Sequence, residues 1–312
     1  MSAFLVDRTS RLRLVMSGEK AKESLGGLVT NDVVALTAGQ GQRAVALTPK
    51  GRVIAMLRVF DRGTELLVDC EPGSADGLLA MIRKFVNPRT AKYTVISEST
   101  SCLAVHGAQA AQLLAPLADV EQATLDALPV LGLWRSADGS LEIIRSDELS
   151  VAGFEVVASP ERVAVLRSAL ETQGVHECEA SRVESLRIER GLPRFGVEMD
   201  AETIPQEANL DVLGAISFTK GCYTGQEVVA RIHFRGHVNK HLRWLRSEIL
   251  LPLGAVVVDS EGKEVGDVRS STMSAERGPL AIAMVRREVV PGSAVRVRTD
   301  SGECTAQLVA IA

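Results

Sequence analysis

The 312-residue chain has few cysteines and few aromatic side chains. Its five cysteines, Cys70, Cys102, Cys178, Cys222 and Cys304, lie far apart and form no CxxC pair. An odd, scattered set excludes a disulfide framework and a cysteine-based zinc or iron–sulfur ligand set, so no metal site is expected. It suits a reducing compartment, and a cytoplasmic location is expected. Long apolar runs are also missing. The longest, around Leu250 to Val258, is too short to span a bilayer, so no membrane partner is expected. No secretory h-region precedes the patterned Arg11-Leu12-Arg13-Leu14-Val15. Charge of one sign is absent too. Lys and Arg number 35 against 39 Asp and Glu, a net −4, which speaks against wholesale binding to nucleic acid or anionic membrane. Direct RNA binding is not expected. Aromatics make up 4%, so aliphatic side chains must fill the core, and 46% apolar residues suffice for that. No fixed-period repeat, low-complexity tract, P-loop, G-x-S-x-G or HExxH motif is present.

What is there reads as an α+β plan. Alternating stretches predict strands at "RLRLVMSG", at "VIAMLRVF" (53–60) and at "ELLVDC" (65–70), with helices over 18–30 and 75–86. A second round follows: strand 101–107, helix 108–118, paired strands "LEIIRSD" and "GFEVVAS", and helix 160–174 with Pro160 in its first turn. The pattern predicts two split βαβ-like units. From about residue 239 the chain turns to short strands with Gly-containing turns, at Asp259–Gly262 and Asp300–Gly302. The expected division is a core over 1–238 and a small β-barrel over 239–312.

One polar stretch, "KGCYTGQEVVAR" (220–231), holds a cysteine between glycines. Thr224 and Glu227 form T-x-x-E, a capping box that predicts a helix from 224 to about Phe234, ended near Gly236. Gly221 and Gly225 can serve backbone geometry alone. That leaves Lys220, Cys222, Tyr223, Gln226 and Arg231 unexplained. Cys222 sits just before a helix N-terminus and two residues from Lys220, conditions that raise the thiolate fraction of a thiol. It reads as a reactive or ligand-binding thiol, or else as an inert cysteine. The other four cysteines read as inert. Lys220, Arg231, Arg235, Lys240, Arg243 and Arg246 make a local basic run, against Glu227 alone. It suits a carboxylate or phosphate ligand, or equally a solvated strand edge.

Further upstream, "SRVESLRIERGLPRFGVEMDAETIPQEANL" (181–210) predicts a helix stopped by Gly191 and Pro193. Glu189 falls in its last turn, where the helix dipole disfavours a carboxylate. Arg187 or Arg190 can balance it. Alternatively its two oxygens face a pocket and accept from a paired N–H edge. His233, His237 and His241 are spaced by four, but Gly236 should interrupt a shared helix face, so they read as solvated or phosphate-facing.

Together, "RIERGLPRFGVEMDAETIPQEANL" and "ISFTKGCYTGQEVVARIHFRG" closely resemble the YgfZ-type folate-binding proteins, relatives of the glycine-cleavage aminomethyltransferase (T-protein). The resemblance covers nearly the whole chain. It implies a three-lobed fold: two interleaved ferredoxin-like α+β units and a C-terminal barrel around a central channel that holds tetrahydrofolate. It implies support of iron–sulfur client or assembly proteins, including radical enzymes that modify tRNA. Lys220, Gly221, Cys222, Tyr223, Gly225, Gln226 and Glu227 fall on the family signature, and Glu189 on an acidic position that faces the pterin in T-proteins. By the resemblance, Glu189, Tyr223, Gln226, Arg231 and Arg235 would bind folate, the last two through its acidic tail, and Cys222 with Lys220 would carry any chemistry. A monomer is expected. One departure bears on activity. T-proteins carry an acidic pair needed for methylene transfer, where this chain has Ala55-Met56. That speaks against aminomethyl transfer and for binding, or for chemistry centred on Cys222.

Overall fold

The computed structural model describes residues 3–300 and 302–311. The chain opens with strands β1 (Phe4–Asp7) and β2 (Leu12–Ser17), then helix α1 (Ala21–Gly26). Strands β3 (Gly41–Leu47), β4 (Val53–Asp61) and β5 (Glu65–Cys70), helix α2 (Ala75–Phe85) and strand β6 (Lys92–Val95) follow. The second round is β7 (Ser101–His106), α3 (Ala110–Ala118), α4 (Gln122–Asp126), β8 (Leu133–Arg135), β9 (Leu141–Ser146), β10 (Gly153–Ala158) and α5 (Pro160–Thr172). Helices α6 (Ala180–Arg190) and α7 (Gln226–Arg235) lead into the last strands. These are β11 (Lys240–Ser247), β12 (Val256–Val258), β13 (Glu264–Ser274), β14 (Gly278–Arg286), β15 (Ala294–Thr299) and β16 (Gly302–Ala310).

They form two five-stranded antiparallel sheets and a closed six-stranded barrel. The first sheet runs β3-β4-β5-β2-β6 and the second β1-β7-β10-β9-β8. The units are interleaved, because β1 pairs with β7 of the second sheet while β2 joins the first. The expected α+β fold with its C-terminal barrel is therefore present. The strands β1, β3 and β6 and the short elements α4 and β8 go beyond the sequence reading. Helix α1 is shorter than the predicted 18–30, since the Gly26-Gly27 pair ends it. The first predicted barrel turn joins β12 to β13. The second joins β15 to β16, and its Ser301 lies outside the described residues.

Strand alternation sorts each sheet into two faces. One face of the first sheet packs Ala44, Leu57 and Val68 into a core with α1 and with Leu78 of α2. The second sheet buries Leu103, Ile143 and Val156 against α3, α4 and α5. The opposite faces meet at a seam, where Phe60 and Leu67 pack against Cys102, Ile144 and Val157. Beside this apolar strip lies a buried ion network. Arg58 on β4 stands opposite Asp69 on β5 and donates to it through Nε at 2.8 Å. The same guanidinium donates to Glu155 of β10, across the seam, at 2.9 and 2.7 Å. Arg11, in the segment joining the sheets, donates to Asp69 at 3.1 Å and to Glu148 at 3.2 Å.

Arg58, Asp69 and Glu155 are each 3% exposed or less, so none can fall back on water. Burial pushes the pKa of Asp69 and Glu155 up, but Arg11 and Arg58 pull harder and hold both below the usual range. The sign of the linkage follows. This stability is present in full above the ordinary Glu value of 4.5 and is lost as pH falls through the depressed folded values. Arg58→Met strands buried Glu155, leaves Asp69 to Arg11 alone, and should cost about 3–5 kcal/mol in urea unfolding at neutral pH. The deficit should shrink in acid, where the stranded carboxylate takes up a proton. A loss below 1 kcal/mol would show that the seam does not depend on this network.

Candidate functional site

The ion network forms one wall of a small cavity at the seam, with about 30 Å³ of interior space that a water can occupy. Six arginines line it: Arg8, Arg11, Arg43, Arg58, Arg187 and Arg194. Two carboxylates, Glu71 and Glu148, and the apolar Met56, Leu57, Leu192 and Pro193 complete the wall. Sequence reasoning missed this wall, because its arginines are spread from position 8 to position 194. One signal was available. Arg58 in "VIAMLRVF", Asp69 in "ELLVDC" and Glu155 in "GFEVVAS" are charges inside otherwise apolar strands, where an isolated charge is costly.

Met56 and Arg58 are two apart on β4 and share the seam face. Ala55 is fully buried on the opposite face, in the core with α1 and α2. Of the two positions that are acidic in T-proteins, only 56 therefore reaches the cavity, and here it brings a thioether. Arg187 also lines the cavity, 6% exposed, and donates to Glu198 at 2.7 Å and Glu184 at 2.6 Å. Glu189 is two residues further along the same helix, a rotation of about 200°. It does not line this cavity. Its carboxylate is 5% exposed, accepts from the Ser150 hydroxyl at 2.9 Å and pairs with Arg182 at 3.5 Å.

The signature loop is built by backbone contacts. Lys220 Nζ donates to the carbonyls of Gly26, Val29 and Asn31 at 2.5–2.9 Å. Three donors meet three acceptors, which ties the loop to the end of α1. Burial pushes the Lys220 pKa down to about 8, and Asp32 opposes it. Tyr223 is 8% exposed and packs in the core between the first sheet and the barrel, with the Lys220 ammonium 5.1 Å from its ring centre. Burial raises its pKa to about 12.

The expected capping box does not form. Helix α7 starts at Gln226, its N-cap is Gly225 at φ 83°, and no side chain caps it. The cause is a close approach. A Cβ on Gly225 would lie 2.6 Å from the carbonyl oxygen of Thr48, and one on Gly51 would lie 2.8 Å from Val228. Two glycines let this loop and the β3–β4 turn touch, and the left-handed residue moves the helix start past Thr224. The Thr224 N–H donates to Gly27 instead. Gln226 donates to the Gly221 carbonyl at 3.4 Å, and Glu227 is exposed in the first turn.

Cys222 is exposed and lines a second, open cleft with Lys220, Gly221, Asp32 and Val34. Glu189 lines neither this cleft nor the arginine cavity. Cys70 and Cys102 are buried, and burial raises both thiol pKa values, that of Cys70 to about 12. The basic run does not gather into one patch. Lys220 faces the Cys222 cleft, Lys240 a groove beside Glu207 and Asp267, and Arg246 a cleft on the barrel. Arg231 and Arg235 are exposed on α7, where His233 stacks on Phe218 at 3.5 Å. Among the described residues no helix is long and apolar enough to cross a membrane.

Comparison with known proteins places this architecture. Residues 1–220 match the GCVT N-terminal domain family. The tRNA-modifying protein YgfZ of Klebsiella pneumoniae (strain 342) is 32% identical over 311 residues, covering 92% of this chain and 86% of that protein. An aminomethyltransferase of Saccharopolyspora erythraea is 27% identical, covering 99% of this chain and 86% of its own length. The crystal structure of glycine cleavage system aminomethyltransferase T from Bartonella henselae shares the fold. Its TM-score is 0.89 at 22% identity, over 99% of this chain and 85% of that one. With its first 220 residues matching the family and its fold in common with a solved relative, the chain belongs to the GCVT N-terminal domain family and is a YgfZ-type member of it.

Proposed function

We propose that this chain binds a reduced folate, tetrahydrofolate or a one-carbon derivative, and acts as a YgfZ-like protein in tRNA modification. The finer reading is that it supports iron–sulfur enzymes, including those that modify tRNA, through their client or assembly proteins. The single observation that carries the binding reading is the seam cavity. Its guanidinium donors suit the oxygen and nitrogen acceptors of a reduced folate, and Met56 and Leu192 give it an apolar side. Similarity to YgfZ proteins over nine-tenths of the chain supports the role.

Glu189, held by Ser150 and Arg182 and lining neither cavity, is not the acceptor for the aminopyrimidine edge in this reading. The exposed Arg231 and Arg235 take the outer, polyglutamate end of the acidic tail, while Tyr223, packed in the core, and Gln226, bonded to Gly221, shape the loop. Cys222, open to solvent, is the thiol a client protein can reach. Lys220 holds the loop that presents it.

A transferase reading draws support from the aminomethyltransferase relative, which matches along almost the whole chain. Met56 speaks against it. A thioether can neither hold a developing positive charge nor move a proton. With an aminomethyl donor and tetrahydrofolate, no turnover above background is expected, and measurable turnover would restore the transferase assignment.

Calorimetry should show tetrahydrofolate binding to the wild type, largely kept by Glu189→Ala, whose carboxylate lies outside the cavity. No wild-type binding ends the folate reading. Cys222→Ala should keep that affinity yet fail to restore tRNA modification in cells lacking the protein. Full restoration would remove Cys222 from the mechanism. Lys220→Met leaves three carbonyls without their donor and should cost about 1–3 kcal/mol in urea unfolding. An unchanged midpoint would show that water replaces the ammonium freely.

A further inference from the structure

The six wall arginines meet seven carboxylates, yet two of their buried N–H groups find no acceptor among the described residues. Arg43 on β3 and Arg58 on β4 are direct cross-strand partners on the seam face. Two like charges in that register repel unless acceptors separate them. Arg58 has Asp69 and Glu155. Arg43 is 5% exposed and spends its terminal nitrogens on Asp147 alone. That carboxylate also serves Arg190, at 3.1 Å. The Arg43 Nε, buried in a residue lining the cavity, has no partner among the described residues.

Arg8 repeats the pattern. It lines the same cavity, and its Nε is also buried without a partner. Its carboxylate contact, Glu148 at 3.9 Å, is already engaged by Arg11 at 3.2 Å and Arg58 at 3.5 Å. The two carboxylates facing the cavity are thus committed, Glu148 to three arginines and Glu71 to Arg11. Buried N–H donors without acceptors are costly, and a guanidinium is the side chain best shaped for an oxyanion.

We propose that Arg43 and Arg8 form an anion subsite in this cavity, which takes a carboxylate or phosphate oxygen. The subsite deepens the folate reading and rests on it only for which molecule brings the anion. One source is the carboxylate of the folate itself. The other is a separate small anion bound beside it. A cationic amine co-substrate has no place there, which agrees with Met56 standing where T-proteins carry an acid.

The test uses the full chain, with formate and inorganic phosphate as probes and two ligands that differ in their tail, tetrahydrofolate and tetrahydropterin. Arg43→Gln removes the charge and the Nε donor. Arg43→Lys keeps the charge without the planar fork. Thermal melts confirm which variants fold. If folate brings the anion, Arg43→Gln weakens tetrahydrofolate about tenfold or more and leaves tetrahydropterin unchanged. If the anion is separate, formate or phosphate shifts the ¹⁵N–¹H resonances of the Arg43 and Arg8 Nε groups in the wild type. Arg43→Gln then abolishes anion binding without touching tetrahydrofolate affinity. Either outcome supports the subsite, and Arg43→Lys should retain only part of the effect. The proposal is overturned if no probe moves those resonances and a folded Arg43→Gln binds tetrahydrofolate as the wild type does. Loss of the folate reading shows up separately, as a wild type that binds anions through Arg43 but no tetrahydrofolate.

Discussion

A guanidinium taken out of water must be met by carboxylates, and Arg58 is met from both sides of the seam. Asp69 comes from its own sheet, Glu155 from the other. Neither sheet could bury its share alone, because each would hold an unpaired charge in an apolar face. The pairing therefore selects one docking of the two sheets. The segment between β1 and β2 adds Arg8 and Arg11 at the place where the chain crosses from one sheet to the other. Interleaving and ion network are thus one feature: the crossing strand delivers the charges that the seam needs.

The same network explains why the seam is not closed. Apolar side chains such as Phe60, Leu67 and Ile144 can interlock at packing density. Guanidinium forks and carboxylates are held by directional bonds and cannot fill space as freely. Where the apolar strip gives way to the charged row Arg43–Arg58–Asp69, a cavity is left. Arg43, Met56 and Arg58 of its wall are anchored in strands, the other arginines are held by ion pairs, and the wall is rich in donors.

Much of this was legible in the sequence, in a graded way. Period-two alternation found most of the strands, and the change of texture near residue 239 marked the barrel. The Gly191 stop was read correctly from a local signal. The T-x-x-E motif was also local, yet it misled. Its outcome was decided by Thr48 and Gly51, more than 170 residues away, whose backbone admits only a glycine at 225. The arginine wall was the least legible. Arg58 and Glu155 lie 97 residues apart, and no short window contains both. The charged residues inside apolar strands were visible, but their partners were not.

The signature loop and the cavity answer different needs, and the structure keeps them apart. Lys220 is spent on three carbonyls, Tyr223 on the core, and the glycines on close backbone contact. These residues read as chemistry in the sequence, and in the fold they shape the loop. What they leave free is Cys222, the exposed one of the five cysteines. The cavity, in turn, has no acid at position 56 to receive a positive charge and offers guanidiniums instead. A donor-rich cavity, and a thiol displayed at a separate cleft, fit the proposed role of holding one molecule while meeting another. An enzyme that transfers a carbon unit between two bound substrates needs both groups in one enclosure.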